Sequence, residues 1–300
     1  MEQHLPTDLQ LVGKRRTRLR RRFAPYLLLF PGVGWLAVFF LVPILLMLSI
    51  SLQTGNIEEG FRLTWRFGNY VDAIRQYHVQ FRRSIVYGSI ATGVALIVSY
   101  PLAYWIAFRG GRYKNTFLVL LLLPFFVSFV IRTLAWRFIL SDDGILLGTL
   151  KDWHLLPQSF HVLATSTAVV TGIAYNFLPF MALPLYVALE RIDRRVIEAA
   201  FDLYASKIQV FLRVVLPLSI PGIFAGVLLT FVPAVGDYVN AAILGGTQTT
   251  MIGNIIQQEY LQNLHYPTAA ALSFVLMAGL LIGIFAYARV LGTKNIQEYV

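Results

Sequence analysis

The sequence predicts an all-α, polytopic membrane protein with six transmembrane helices, and three observations lead there. Hydrophobic residues make up 57% of the 300-residue chain and charged residues only 13%, against about 25% charged in a soluble globular domain. Mean hydropathy is +0.65. Long apolar runs recur from one end of the chain to the other, which a single soluble α/β domain does not need. The sparse charges are biased to one sign, with a formal net charge of +10. Sparse basic residues between apolar runs suit a chain whose lysines and arginines collect in cytoplasmic loops.

A hydrocarbon core of ~30 Å needs ~20 apolar helical residues, and six stretches qualify. The first is Ala24–Leu52, where Pro31 and Pro43 are expected to bend the helix. It is too long for a signal peptide and lacks a small-residue cleavage site. The second is Ser84–Phe108, interrupted by Pro101, and the third is Thr116–Leu140, with Pro124. The fourth is Val162–Leu189, carrying Pro179 and Pro184. The last two are Leu216–Val235 and Thr268–Leu291. The chain therefore divides into a basic tail at 1–23, a membrane domain at 24–291 with a long loop at about 190–217, and a short tail at 292–300.

Charge sets the orientation. The N-terminal tail, the loops after spans two and four, and the C-terminal tail hold 17 of the 25 basic residues, while Gly236–Pro267 holds none. The basic side is read as cytoplasmic, with both termini inside. Arg62, Arg66, Arg75, Arg82 and Arg83 fall in the first outside loop and run against the rule. The first helix usually dominates it. The N-terminal basic run precedes a span directly, so it reads as a topology signal and anionic-lipid contact and not as a nucleic-acid patch.

The loop after span four carries the functional signal. Ile192, Val196, Ile197, Ala200, Leu203 and Ile208 recur at helical spacing with charges between them, so an amphipathic helix here can lie on a partner or on the membrane surface. It contains Glu198-Ala199-Ala200, and Leu216-Pro217 opens the next span. This loop resembles the Glu-Ala-Ala loop of ATP-binding-cassette importer permeases. That pattern has a glycine where this chain has Tyr204. The resemblance implies the type I importer permease fold, a coupling helix, and no catalysis by this chain. It further implies a homodimeric cytoplasmic ATP-binding subunit, a second homologous permease, and an extracytoplasmic substrate-binding protein. The setting would be a bacterial inner membrane.

Three further stretches resemble the spermidine/putrescine importer permeases, and specifically the first of their two permease subunits. They are Leu123–Trp136, Val235–Gly246 around Gly236-Asp237-Tyr238, and Met251–Gln258. The resemblance implies a polyamine cargo, with a permease for another small organic cargo as the near alternative. An ATP-independent channel or secondary transporter would be expected to show inverted repeats or several deep carboxylates. No clear internal repeat and few deep charges are present. A membrane-embedded enzyme would need a nucleophile–base pair or a metal cluster.

Asp237 lies near the outer end of span five, and an ionisable residue at membrane depth is a functional candidate. It either attracts an ammonium group of the cargo or is an interfacial carboxylate, in water or paired with Arg132. Tyr238, Trp136 and Tyr175 either add cation–π contacts worth roughly 0.5–2 kcal/mol each or form an interface belt. Arg132 is expected to pair with a carboxylate or cap backbone carbonyls, and Arg137 to snorkel to water. Glu190 is expected to face the arginines of the coupling loop, and Asn176 to hydrogen-bond between helices.

No cofactor is implied. The chain has no cysteine, and His4, His78, His154, His161 and His265 show no i, i+4 pair for a metal. No Gly-x-x-x-x-Gly-Lys-Ser/Thr stretch is present to hold ATP.

Overall fold

The computed structural model describes residues 29–295. The basic tail at 1–23, the start of the first expected span at 24–28, and residues 296–300 lie outside the described residues. Helix α1 (Leu29–Ser51) is the first apolar span. Pro43 lacks an N–H, and its ring would strike the carbonyl four residues back. The chain widens into a π turn over Ala37–Leu41 immediately before it. The C-terminal half of α1 packs on the last helix, yet its most apolar stretch is left exposed by the rest of the chain.

A short hairpin pairs Gln53 with Leu63 and leads into α2 (Gly68–Arg109). This helix starts at Gly68 and not at the expected Ser84. Its first turns carry Asp72, Arg75 and Arg82, which hide them from an apolar-run reading. The helix breaks its regular geometry at Tyr77 (φ −115°, ψ 18°). There the Tyr77 hydroxyl donates to Glu259 Oε1 at 2.8 Å, and Glu259 also takes bonds from Asn263 Nδ2 and His265 Nδ1.

The third expected span, Thr116–Leu140, is corrected. It is not one helix but two, α3 (Gly111–Phe126) and a second segment at Phe129–Asp152, bent by 90° at the break. Pro124 removes a donor, the chain tightens into a 3₁₀ turn over Leu123–Phe126, and Val127 and Ser128 are extended at ψ 140° and 138°. The second segment contains α4 (Phe129–Leu140) and α5 (Ile145–Asp152). Helix α6 (Ser166–Glu190) starts at Ser166, because Thr165 Oγ1 accepts from the Ala168 N–H and caps it there. Then follow α7 (Arg194–Asp202) and α8 (Lys207–Val235). The chain closes with α9 (Val239–Leu244), α10 (Ile252–Leu261) and α11 (Tyr266–Asn295).

Five described helices are long and apolar enough to cross a membrane, six if the bent pair is counted as one broken span. Their centre is α2, α6 and α8, packed pairwise. Lipid tails give helices no hydrophobic reason to associate, so close backbone approach has to supply the packing. Ala91, Ala95, Ser99 and Ala103 line the buried face of α2. Gly222 and Gly226 let α8 onto α6: a Cβ on Gly222 would lie 2.4 Å from that of Ala188, and one on Gly226 2.8 Å from Met181 Sδ.

Candidate functional site

Two regions at different depths gather the residues singled out from the sequence. The first is the loop between α6 and α8. Asp193 Oδ1 accepts from the Arg195 N–H at 3.0 Å and caps α7, which carries Glu198, Ala199 and Ala200. Ile192 and Val210 are buried, and Ile197, Ala200 and Ala205 pack against the same core cluster at this end of the bundle. Val196, Leu203 and Ile208, expected on the same apolar stripe, are exposed instead, beside Phe201 and Tyr204. The loop is thus held from below and presents an apolar outer surface. A capping box between Ser206 and Gln209 starts α8. A π turn over Phe211–Val215 then relieves Pro217, with Leu216 beside it, as the one in α1 relieves Pro43.

Glu190 does not face the loop's arginines. It takes a hydrogen bond from Lys114 Nζ, while Arg194 reaches the carbonyl of Phe108 at 3.4 Å. The ion pair joins the start of α3 to the end of α6.

The second region is a buried chain of polar groups. Asp237 is 6% exposed. Its Oδ1 accepts from the Asn240 N–H at 3.0 Å, and its Oδ2 from Asn240 Nδ2. Asn240 Oδ1 accepts from Asn176 Nδ2 at 3.0 Å, and the same amide donates to Thr133 Oγ1 at 3.1 Å. A carboxylate only accepts, so it fixes the orientation of the Asn240 amide, and that in turn fixes Asn176. Asn176 Oδ1 is left buried with no partner. Burial pushes the Asp237 carboxyl above the ordinary carboxylate range, opposed by the N–H groups of Asn240.

Asn176 lines a cavity of about 400 Å³ at the break between α3 and α4, with Phe125, Phe129, Phe177, Phe180 and Arg132. Arg132 is not paired with Asp237: its guanidinium lies over the Phe125 and Phe129 rings, at 5.4 and 5.7 Å. Trp136 and Tyr175, one turn along from the cavity residues, meet edge to face at 5.2 Å. Tyr238 is exposed, and its carbonyl accepts from Asn254 Nδ2. Arg137 is exposed. Asn176 makes the interhelical bonds expected of it. Asn240 and Thr133 were not singled out from the sequence, since two small polar residues in apolar surroundings carry no signal until the fold joins them.

A family model described as the binding-protein-dependent transport system inner membrane component matches residues 99–291. The chain belongs to this family of importer permeases. The permease is 37% identical over 257 residues to the spermidine/putrescine transport system permease protein PotB of Haemophilus influenzae, covering 85% of this chain and 90% of that one. It is 32% identical over 268 residues to PotB of Escherichia coli, covering 88% and 98%. In fold it matches a membrane chain of a bacterial ABC transporter that imports alginate, with TM-score 0.72 and 18% identity over 94% of this chain and 99% of the other.

Tyr204, which departs from the family pattern, explains why glycine stands there. It ends the permease's α7 turn at φ +61°, in the left-handed region, with its ring 98% exposed. A non-glycine residue there costs roughly 1–2 kcal/mol, and the exposed ring recovers none of it by packing within the chain. Tyr204→Gly is therefore expected to raise the unfolding midpoint of the detergent-solubilised chain, by the equivalent of about 1 kcal/mol. Tyr204→Val, β-branched at positive φ, lowers it. An unchanged midpoint in both variants would contradict the strain at this turn.

Proposed function

We propose that this permease is the first of two homologous membrane subunits of an ATP-driven importer for polyamines such as spermidine and putrescine. The observation that carries the reading is the similarity to PotB proteins along most of both chains. A homodimeric cytoplasmic ATPase drives it, and an extracytoplasmic binding protein delivers cargo. Both termini are cytoplasmic, so the basic tail at 1–23 and the tail at 292–300 flank the permease domain at 24–291, and Gly236–Pro267 lies outside.

The loop of Glu198, Ala199, Ala200, Tyr204, Leu216 and Pro217 is the coupling element. Its apolar outer surface (Phe201, Leu203, Ile208) suits a groove on the ATPase, and its buried underside (Ile192, Val210) suits a lever acting on α6 and α8. ATP closes the ATPase dimer, the loop moves, and the pathway opens outward. Cargo then leaves the binding protein. Hydrolysis returns the pair to the inward-facing state, so ATP biases a two-state element. Asp237 admits the cargo's ammonium groups, with Tyr238, Trp136 and Tyr175 offering ring faces along the way. Asn176 Oδ1 is an unoccupied acceptor for an N–H beside the five phenylalanines of the cavity. Ring faces and neutral acceptors hold a cation weakly, as a pathway that also releases it needs.

The experiment is purification of the tagged chain in mild detergent from cells expressing the whole transporter, together with reporter fusions at the two termini and at Gly246. An ATPase recovered with the chain, and a Gly246 reporter active only outside, are expected. A chain recovered without any ATPase contradicts ATP coupling, and an inside Gly246 reporter contradicts the orientation.

A further inference from the structure

Arg132 is only 7% exposed, and its Nε has no hydrogen-bond partner. No carboxylate among the described residues forms an ion pair with it. The guanidinium lies over the Phe125 and Phe129 rings, with Tyr175 near it. Its depth follows from Asn176, which lines the same cavity. Fourteen residues separate Asn176 from the end of α6 at Glu190, about 21 Å at 1.5 Å per residue. In a hydrocarbon core of ~30 Å that leaves about 9 Å to the far face. Intramembrane cations pair with an anion, a backbone carbonyl or water, and nothing described in this chain supplies one.

The cavity opens on the outside of the chain. Phe126, which lines it, is 85% exposed. Val130, Leu134 and Phe138 continue the exposed apolar row at four-residue spacing down α4. We infer that Arg132 is a socket for a carboxylate side chain of the second permease subunit, which packs along the exposed row at Phe126 and Phe138. This rests on the two-permease reading above. The pairing also resolves an electrostatic conflict: an uncompensated guanidinium beside the pathway repels an oligocation, and a carboxylate from the partner neutralises it without leaving a deep anionic trap.

The test expresses the complete transporter with this chain tagged and measures the second permease recovered with it, in wild type, Arg132→Gln, Arg132→Lys and Arg132→Glu. Each Asp and Glu in the membrane segments of the second permease is changed in turn to Arg in the Arg132→Glu background. Arg132→Gln is expected to reduce recovery of the partner about tenfold or more, Arg132→Lys to reduce it less, and one acid-to-Arg change to restore recovery with Arg132→Glu. A second measurement does not depend on these variants folding. This chain has no cysteine, so Phe126→Cys gives it a single thiol. A reagent that couples to this thiol and carries a photoreactive benzophenone is expected to link it to the second permease on illumination, and a spin label on the same thiol to report contact with protein. Undiminished partner recovery in Arg132→Gln, no restoring charge swap, or a spin label at Phe126→Cys freely accessible to lipid-dissolved oxygen would each overturn the inference. Wild-type chain recovered without any second permease would instead fail the two-permease reading.

Discussion

Asp237→Asn is expected to cut uptake of labelled spermidine and putrescine about ten- to a hundredfold while leaving the chain recoverable from the membrane. The carboxylate accepts from the backbone and the side chain of Asn240 at once. An asparagine can offer one oxygen, and its NH₂ then faces a donor. Either Asn240 loses a bond or it turns over and breaks its bond to Asn176. A buried donor left unsatisfied costs about 1–3 kcal/mol, and each 1.4 kcal/mol is tenfold. The loss falls on the acceptor that Asn176 presents to the aromatic cavity as well as on the charge that draws the cargo in. Asp237→Glu keeps an acceptor-only group and gives a smaller loss. Because Asp237 and Arg132 are not paired, combining Asp237→Asn with Arg132→Gln restores nothing. Uptake is measured beside solubilised yield in all these variants, and wild-type uptake in Asp237→Asn at normal yield would remove Asp237 from the pathway.

Glu198→Lys is expected to uncouple transport from ATP with the chain inserted at normal yield. Glu198 is exposed on α7 and makes no contact that holds the loop together, so its reversal alters only the docking face. Charge reversal at the centre of a docked surface costs roughly 2–4 kcal/mol, enough to lose most ATPase association. Ala200→Asp acts differently. Ala200 packs against the core cluster beneath the loop, and a buried unpaired charge there costs several kcal/mol, so the loop itself loosens. ATPase recovery and uptake both fall in Ala200→Asp, and limited proteolysis cuts its loop faster than that of Glu198→Lys. Normal ATPase association and normal uptake in both variants would rule out the coupling role.

The apolar spans and the family loop were legible because each is local: about twenty apolar residues in a row, or a short pattern in one loop. What was missed depends on contacts far apart in sequence or on backbone detail. The first turns of α2 carry Arg75 and Arg82 and resemble a loop to any apolar window. They are helical because Ala73 is buried against Ile252 and Leu272, and because Tyr77 reaches Glu259. Pro124 was visible, yet prolines 101, 179 and 184 sit inside unbroken helices. Only the extended Val127 and Ser128 distinguish the 90° break. The chain from Asp237 through Asn240 to Asn176 and Thr133 joins three distant segments, so the sequence offered Arg132 as a partner for Asp237 when the real one lies three residues on. Tyr204 was visible as a departure from glycine, but its reason, a left-handed φ, exists only in the folded turn.

The most direct measurement of the central claim is uptake into proteoliposomes holding this permease, its second permease and the ATPase, with binding protein outside and ATP within. Labelled spermidine is expected to accumulate only with ATP, to be competed by unlabelled spermidine and putrescine, and to stop when the ATPase is left out. Accumulation that persists without ATP, or that no polyamine competes, would contradict it.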